Sequence, residues 1–192
     1  MKRINVEICE KPNSVSWDEI HKILYASHSV NRSKGISQAT ATLSGNKLKE
    51  AVGKGKCFVA MDKDRVVGTC SVKIKEPHTW FAPGKAAYYM FGGVIPEYQG
   101  FGIYSALDNA RDNYAEQEGV DVIYTFTPEK NISIQKQKLS KGYHLAGFFA
   151  PANLDYYSVV LVKWKNPPSL LHIKLRYYYS KVKTLLKHRR KR

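Results

Sequence analysis

The stretch Gln99-Gly100-Phe101-Gly102-Ile103-Tyr104 has the clearest chemical meaning in the chain. It follows an apolar run that ends at Ile95 and precedes a segment with helical spacing, so a strand is expected to lead through glycines into a helix. The first N–H groups of a helix have no partners within the helix and lie at the positive end of its dipole. Glycine lets a backbone approach its ligand closely. The pattern therefore predicts a site for a phosphate or pyrophosphate.

The wider string from Val94 to Leu107 resembles the coenzyme A signature of the GNAT superfamily of N-acetyltransferases. In that signature valine-x-proline is followed by Arg/Gln-x-x-Gly-x-Gly/Ala, and Pro96, Gln99 and Gly102 stand at the matching positions. Tyr104 departs from the pattern, because the family has a small residue there. The tyrosine fits a bound pyrophosphate only if its side chain points away from it.

A second motif lies downstream, where Asn131 precedes Gly142-Tyr143 by the interval that the family shows between its asparagine and its Gly-Phe pair. The predicted elements from Cys57 to Trp164 also follow the family's order, so the resemblance covers residues 1–164. It implies a mixed α/β fold with a mostly antiparallel sheet of six to seven strands and about four helices. Two splayed strands of that sheet would hold the cofactor.

The resemblance implies acetyl-coenzyme A as the cofactor. The backbone at the end of the strand would pair with the pantetheine arm like an added strand. The glycine loop would hold the pyrophosphate, the glutamine would reach a phosphate, and the asparagine would contact the pantetheine. The implied cofactor-binding residues are Gly93, Val94, Ile95, Gln99, Gly100, Phe101, Gly102, Ile103, Tyr104 and Asn131.

The implied reaction is direct attack of a primary amine, on a small molecule or amino sugar, on the thioester within a ternary complex. A peptide or protein amine is an alternative acceptor, and a non-catalytic binding module is an alternative function. The oxyanion donor would be a backbone N–H near Val94, where the family strand carries a bulge. Gly92-Gly93 would suit such a bulge, or these glycines simply make room for packing.

The family's general acid is a tyrosine seven residues after the asparagine, and Lys138 occupies that position. This lysine either protonates the leaving thiolate or is a solvated or phosphate-facing charge. Tyr88, on the strand before Val94, is a candidate for lining the acceptor pocket or relaying a proton, and it shares a face with Val94 unless a bulge intervenes. Glu76 and His78 are the nearest ionisable alternatives, or ordinary surface residues.

Period-two and helical patterns predict the elements that position these residues. The expected helices cover Ser16 to before Gly35, 40–52, 102–118 and 131–139, and the expected strands cover 4–10, 57–61, 65–74, 86–95, 120–126, 143–149 and 156–164. Ser16 and Glu19 form a predicted capping box. On the helix after the glycine loop, the predicted apolar positions are Ile103, Leu107, Ala110 and Tyr114.

Cys9, Cys57 and Cys70 are widely spaced and include no CxxC pair, which argues against a zinc site. They are expected to be buried free thiols, with a catalytic thiol as the alternative. No apolar run reaches the length of a spanning helix and no apolar signal core follows the N-terminus, so the expected location is cytoplasmic.

The net charge of +15 is concentrated at the end of the chain. Residues 156–192 hold 11 Lys and Arg and no acid, whereas residues 1–155 are nearly balanced. The sequence therefore predicts a catalytic domain over 1–165 and a basic amphipathic helix or tail over 166–192. Leu171, Leu175, Tyr178, Val182 and Leu185 form its apolar seam.

Such a helix can pack on its own domain or bind one of three partners, a second subunit, a membrane or nucleic acid. The seam packs on the domain or on a second subunit, making a homodimer, or it lies on an anionic membrane at the inner face. Nucleic acid is the weakest of the three, because no base-reading fold accompanies the charge.

Overall fold

The computed structural model describes residues 6–36, 43–151 and 156–189. The chain divides into two compact units, Met1–Ile74 with Ala87–Val120, and Lys75–Ala86 with Asp121–Arg192. The described part contains seven strands and six helices. The predicted mixed α/β class with mostly antiparallel strands is confirmed. One helix more than expected is present among these residues, because one predicted helix is divided.

The strands of the first unit are β1 (Glu7–Glu10), β2 (Lys56–Asp62), β3 (Arg65–Lys75) and β4 (Ala86–Val94), adjacent in that order. β1 and β3 both pair antiparallel with β2. Lys63, with φ 54°, turns the chain between β2 and β3 and makes them a hairpin. The hairpin places β3 beside β4, the strand that leads to the glycine loop.

The helices of the first unit are α1 (Trp17–Ser27), α2 (Ser29–Ser33), α3 (Gly45–Val52) and α4 (Ile103–Gln117). The Ser16 hydroxyl caps α1 as predicted, accepting the N–H of Glu19 at 3.1 Å. The single helix expected to end before Gly35 is interrupted at His28, where φ is −100° and ψ is 10°. The predicted start of the next helix lies among residues 37–42, outside the described residues.

The second unit contains strands β5 (Val122–Pro128), β6 (His144–Phe149) and β7 (Ser158–Trp164), with helices α5 (Ile132–Ser140) and α6 (Leu170–Arg189). β7 lies between the other two strands and pairs antiparallel with both. Between β6 and β7 the sequence also predicts a turn containing Pro151, Asn153 and Asp155, and residues 152–155 lie outside the described part.

Helix α6 packs along β6 and belongs to the second unit. The Ser180 hydroxyl accepts the N–H of Phe148 at 2.9 Å, and Thr184 donates to the Phe148 carbonyl at 3.1 Å. Lys181 pairs with Glu129 at 3.2 Å. These contacts satisfy backbone groups on the side of β6 away from β7. The helix predicted for the basic segment is therefore present, and it is joined to the strands rather than separate from them.

Candidate functional site

The glycine loop has the local geometry that its sequence predicts. A 3-10 turn, Pro96–Tyr98, follows β4, and α4 begins immediately after Gly102. Gly100 and Gly102 have φ values of 85° and 78°, in the left-handed region that favours glycine. A Cβ built on either residue would meet no described atom within 4 Å, so both open onto free space. The Phe101 side chain between them is 49% exposed.

The start of α4 fits an anion. Gly102 is the residue before the first helical turn, and it has no side chain with which to cap the first N–H groups. These donors and the positive end of the dipole of the 15-residue helix remain available to a phosphate. The chain thus offers backbone donors and open space at the position where the resemblance puts the pyrophosphate.

Two of the implied cofactor contacts have partners within the first unit. The side-chain amide of Gln99 donates to the Val94 carbonyl at 2.8 Å and lies 3.4 Å from the Ser27 carbonyl. Gln99 therefore ties the loop back to the end of β4. The N–H of Ile95 donates to the Val67 carbonyl at 3.0 Å. The Ile95 carbonyl accepts the N–H of Tyr98 at 3.0 Å, so both backbone groups of Ile95 already have partners, as does the side-chain nitrogen of Gln99.

Tyr104, the irregular position of the motif, turns its ring toward β4 and away from the open side of the loop. A Cβ on Gly92 would lie 2.9 Å from the Tyr104 hydroxyl, so the absence of a side chain at Gly92 makes room for the ring. Burial raises the pKa of Tyr104 to about 12, with Arg111 acting in the opposite direction. The tyrosine is therefore a neutral packing residue between helix and strand, and it leaves the loop open.

A buried ion pair on α4 was missed by the sequence prediction. The guanidinium of Arg111 contacts the Asp108 carboxylate, and both side chains are 2% exposed. Arg111 also lies 3.4 Å from the carbonyls of Ser71 and Met90. Its charge lies 4.4 Å from the centre of the Tyr89 ring. The pair therefore fixes α4, which begins at the glycine loop, to β3 and β4.

The spacing of the buried positions on α4 could have indicated that Arg111 is buried. The predicted face included Ala110 and Tyr114, but the buried residues include Leu107, Arg111 and Ala115. These three residues are spaced four apart, so they lie on one face of the helix. Because Arg111 is charged, it did not fit the apolar pattern from which that face was predicted. A charged residue is fully buried only with a partner, and the predicted apolar face therefore did not include Arg111.

Strand β4 carries a bulge at Phe91. Tyr89 donates to Asp112 of α4 at 2.5 Å, and Gly92 lies against Tyr104 of α4, so two residues three positions apart share a face. A regular strand would place them on opposite faces. Phe91 has φ 51° and packs beside α1. The family-like distortion is present, but it lies one residue before the predicted glycine pair.

The glycines after the bulge have packing roles. Gly92 makes room for the Tyr104 ring, and a Cβ on Gly93 would overlap the Ser27 side chain. Of the two explanations weighed for this pair, room for packing is the one that the contacts support. The bulge also changes the face of Tyr88, because Tyr89 and Val94 both lie toward α4. Tyr88 therefore points to the opposite face and does not share that of Val94.

The other acid–base candidates lie in the second unit. Glu76 and His78 are exposed on the loop after β3, and His78 Nδ1 lies 3.2 Å from the Pro83 carbonyl. Lys138 is 2% exposed, with its ammonium 5.1 Å from the centre of the Tyr143 ring. The alternative of a solvated Lys138 is therefore wrong, because α5 turns this residue inward together with Gln135. Asn131 is buried and caps α5, accepting the N–H of Ile134 at 3.5 Å.

The three cysteines are free thiols. Cys57 and Cys70 are buried, while Cys9 is only half-buried. Burial raises the pKa of the Cys57 thiol, which keeps it protonated and weakly nucleophilic. Cys57 and Cys70 are therefore buried as expected, whereas Cys9 is only partly buried. The raised pKa of Cys57 argues against a catalytic role for this thiol.

The comparison with protein families decides the classification. Residues 17–136 match the model of the acetyltransferase (GNAT) family, which is more than half of the chain. The chain belongs to the GNAT family. Its cofactor is acetyl-coenzyme A, and its reaction is acetyl transfer from that cofactor. The matched range includes β4, the glycine loop and α4.

Solved structures of the same fold match nearly the whole of their own chains. An acetyltransferase from Streptococcus agalactiae is 17% identical with a TM-score of 0.61, covering 83% of this chain and 98% of that one. The ribosomal-protein-S18-alanine N-acetyltransferase from Escherichia coli is 12% identical with a TM-score of 0.64, covering 86% and 97%. The NatC complex bound to Gag peptide and coenzyme A matches at 12% identity and a TM-score of 0.62, covering 83% and 98%. No curated protein has a significant sequence match to this chain.

Proposed function

We propose that this GNAT enzyme transfers the acetyl group of acetyl-coenzyme A to a primary amine of a small molecule or an amino sugar. The observation that supports cofactor binding at a defined place is the loop Gly100–Gly102, which opens onto free space ahead of a helix start without a side-chain cap. When bound, acetyl-coenzyme A supplies the thioester carbonyl and a leaving thiolate. The chain's own residues bind and orient the reactants and move the protons.

The proposed proton donor to the leaving group is Lys138. It replaces the tyrosine of the family at the matched position, and it is almost fully buried beside the Tyr143 ring. Its ammonium carries protons that it can donate to the leaving thiolate. We propose that Tyr88 lines the acceptor side of β4, and that Glu76 and His78 are surface residues.

The cofactor proposal is tested by two glycine substitutions with matched backbone strain. Gly102→Ala and Gly119→Ala both place a side chain at a positive φ, 78° and 65°, with no described atom within 4 Å of the new Cβ. Each is expected to cost about 1–2 kcal/mol of stability. Calorimetric titration should show acetyl-coenzyme A binding weakened at least tenfold in Gly102→Ala only, because Gly119 follows the far end of α4. Equal affinities in the two variants would contradict the assignment.

The proton-donor proposal is tested by Lys138→Met, with Lys136→Met as its control on the same helix. Lys136 is exposed, whereas Lys138 is buried. Removing a general acid is expected to lower kcat on the order of 100-fold. The affinity for acetyl-coenzyme A and the kcat of Lys136→Met should not change. A Lys138→Met enzyme with the wild-type kcat and pH–rate profile would exclude this lysine as the acid.

The acceptor class is tested by thiol release from acetyl-coenzyme A in the presence of amino sugars, polyamines and short peptides. We expect saturable release with amino sugars or other small amines. Release with peptides alone would replace this proposal with the alternative of a peptide acceptor. No release with any acceptor, together with intact cofactor binding, would favour a binding module.

We also propose a cytoplasmic location. The support is the set of three free cysteines, since unpaired thiols persist in reducing compartments. Fractionation of cells that produce the full chain tests this proposal, and recovery of the protein outside the cell would contradict it.

A further inference from the structure

Helix α6 has two distinct faces. One face packs on the second unit and includes Ile173, which is 3% exposed, and Tyr177, which joins the cluster around Tyr143 and Phe148. Ser180 and Thr184 continue this face through their hydrogen bonds to Phe148. The orientation of the helix about its own axis is therefore fixed by contacts along three turns.

The opposite face of α6 is apolar and exposed. Successive residues of a helix are rotated by about 100°, which places all of its exposed apolar side chains except Leu170 in one sector, about half a turn from Ile173. This apolar stripe consists of Leu171, Leu175, Tyr178, Tyr179, Val182, Leu185 and Leu186, each 39–68% exposed. It runs for about 23 Å along the helix. A contiguous stripe of this kind marks a binding surface, whereas scattered apolar residues do not.

The predicted seam and the docked face are therefore different. The sequence predicted that Leu171, Leu175, Tyr178, Val182 and Leu185 lie on one side of the helix, and the structure agrees. These residues are exposed, while the hydroxyl groups of Ser180 and Thr184 on the opposite face bind the backbone of Phe148 in β6. The most apolar side of the helix is left uncovered.

Basic residues border the apolar stripe on both sides. Lys174 lies at one border, and Arg176, Lys183 and Lys187 lie at the other; all four side chains are exposed. Residues 156–192 contain no Asp or Glu, so no acid of this segment offsets the charge of either border. Long basic side chains can extend their charge outward while their methylene groups cover apolar surface.

The uniform sign of the borders decides which occupant fits the stripe. If two copies of α6 paired through their stripes, positive borders would face positive borders with no carboxylate between them. An anionic bilayer instead attracts both borders and takes the apolar side chains into its interfacial region. Tyrosines such as Tyr178 and Tyr179 suit the headgroup level. Within the described ranges no helix has the length and apolar character to cross a bilayer.

We propose that the exposed face of α6 docks this enzyme on the surface of a bilayer rich in anionic lipid. The helix lies in the plane of the surface, with its stripe facing the lipid and its other face holding the second unit. The enzyme would then act where membrane-associated amine acceptors are concentrated.

Vesicle sedimentation with the full chain tests the docking. The vesicles contain phosphatidylcholine alone or in equal parts with phosphatidylglycerol, and binding is measured at low and high salt. The stripe variant is Leu175→Gln, Val182→Gln, Leu186→Gln, and its control changes three exposed apolar residues elsewhere, Val30→Gln, Ile132→Gln, Leu139→Gln. The border variant is Lys174→Gln, Lys183→Gln, Lys187→Gln, and its control of equal charge is Lys22→Gln, Lys34→Gln, Lys49→Gln.

We expect binding to the anionic vesicles only, weakened at least tenfold by the stripe variant and on the order of 100-fold by the border variant. High salt should weaken it further, and the two controls should bind like the wild type. Binding that survives the stripe variant would mean a general affinity for polyanions and would overturn the proposal. A dimer in sedimentation velocity that the stripe variant dissociates would assign the stripe to a second copy instead. Acetyl-coenzyme A titration of the same samples reports separately on the proposed cofactor site.

Discussion

Replacing Arg111 by methionine should destabilise the protein far more than replacing an exposed lysine that also forms an ion pair. The Arg111 and Asp108 side chains are each 2% exposed, so the substitution leaves a carboxylate in the interior without its cationic partner. Burial lowers the pKa of Arg111, but attraction from neighbouring groups including Cys70, Tyr104 and Asp108 outweighs it, and the pKa remains well above its ordinary value. The guanidinium is thus charged under all working conditions.

The magnitude follows from the burial of the pair. Breaking a buried pair by removing one partner costs about 3–5 kcal/mol, which is at least about a 100-fold change in the folding equilibrium. Lys56 pairs with Glu10 at 2.8 Å, but these side chains are 38% and 56% exposed. Lys56→Met removes the same charge at the surface, where solvent screens the pair, and should cost far less stability.

Urea unfolding of the two variants measures this difference, and a third variant separates charge from packing. In Arg111→Met with Asp108→Asn, the unpaired charge is gone, so part of the lost stability should return. The reasoning would be refuted if Arg111→Met cost no more than Lys56→Met, or if the double substitution were as unstable as Arg111→Met alone.

Two further predictions concern packing and pH. Gly92→Ala would place a methyl group 2.9 Å from the Tyr104 hydroxyl and should lower the free energy of unfolding by about 1–3 kcal/mol. In a double-mutant cycle measured by urea unfolding, most of this loss should disappear when Tyr104→Ala is already present. Additive losses from the two substitutions would argue against this contact. Burial, with a smaller contribution from Arg32, lowers the pKa of His28 to about 4. The unfolded chain therefore binds a proton that the folded one excludes, and stability should fall by up to about 3 kcal/mol as the pH decreases from about 6.5 to about 4. His28→Asn should lack this component, and parallel pH curves for the two proteins would contradict it.

The sequence predicted much of the fold because local patterns fix individual elements. The apolar runs in β2 and β3, the cap at Ser16 and the glycines before α4 each specify their conformation within a few residues. The break at His28 was not predicted from the sequence. The end of α1 lies against Gly93 of β4, a contact between residues distant in sequence.

The candidate site was predictable in its cofactor loop and less so in its chemistry. Gly100 and Gly102 have positive φ values, which favour glycine, so the residue type alone indicates the backbone conformation at these two positions. The bulge at Phe91 was placed one residue late, because it occurs at a residue that rarely adopts a positive φ. The burial of Lys138 was not predicted, because a lysine on a lysine-rich helix is usually solvated.

The sequence by itself determined the order of the elements, the glycine loop, the family and the amphipathic character of the basic segment. These properties depend on residues close to one another in the chain, where spacing and conformational preference act directly. Only the tertiary structure decided that Arg111 is buried with Asp108, that Tyr104 packs on Gly92, and that α6 turns its hydroxyl groups to β6 and its apolar stripe outward. Those outcomes depend on which surfaces meet, and that is set by contacts between residues distant in sequence.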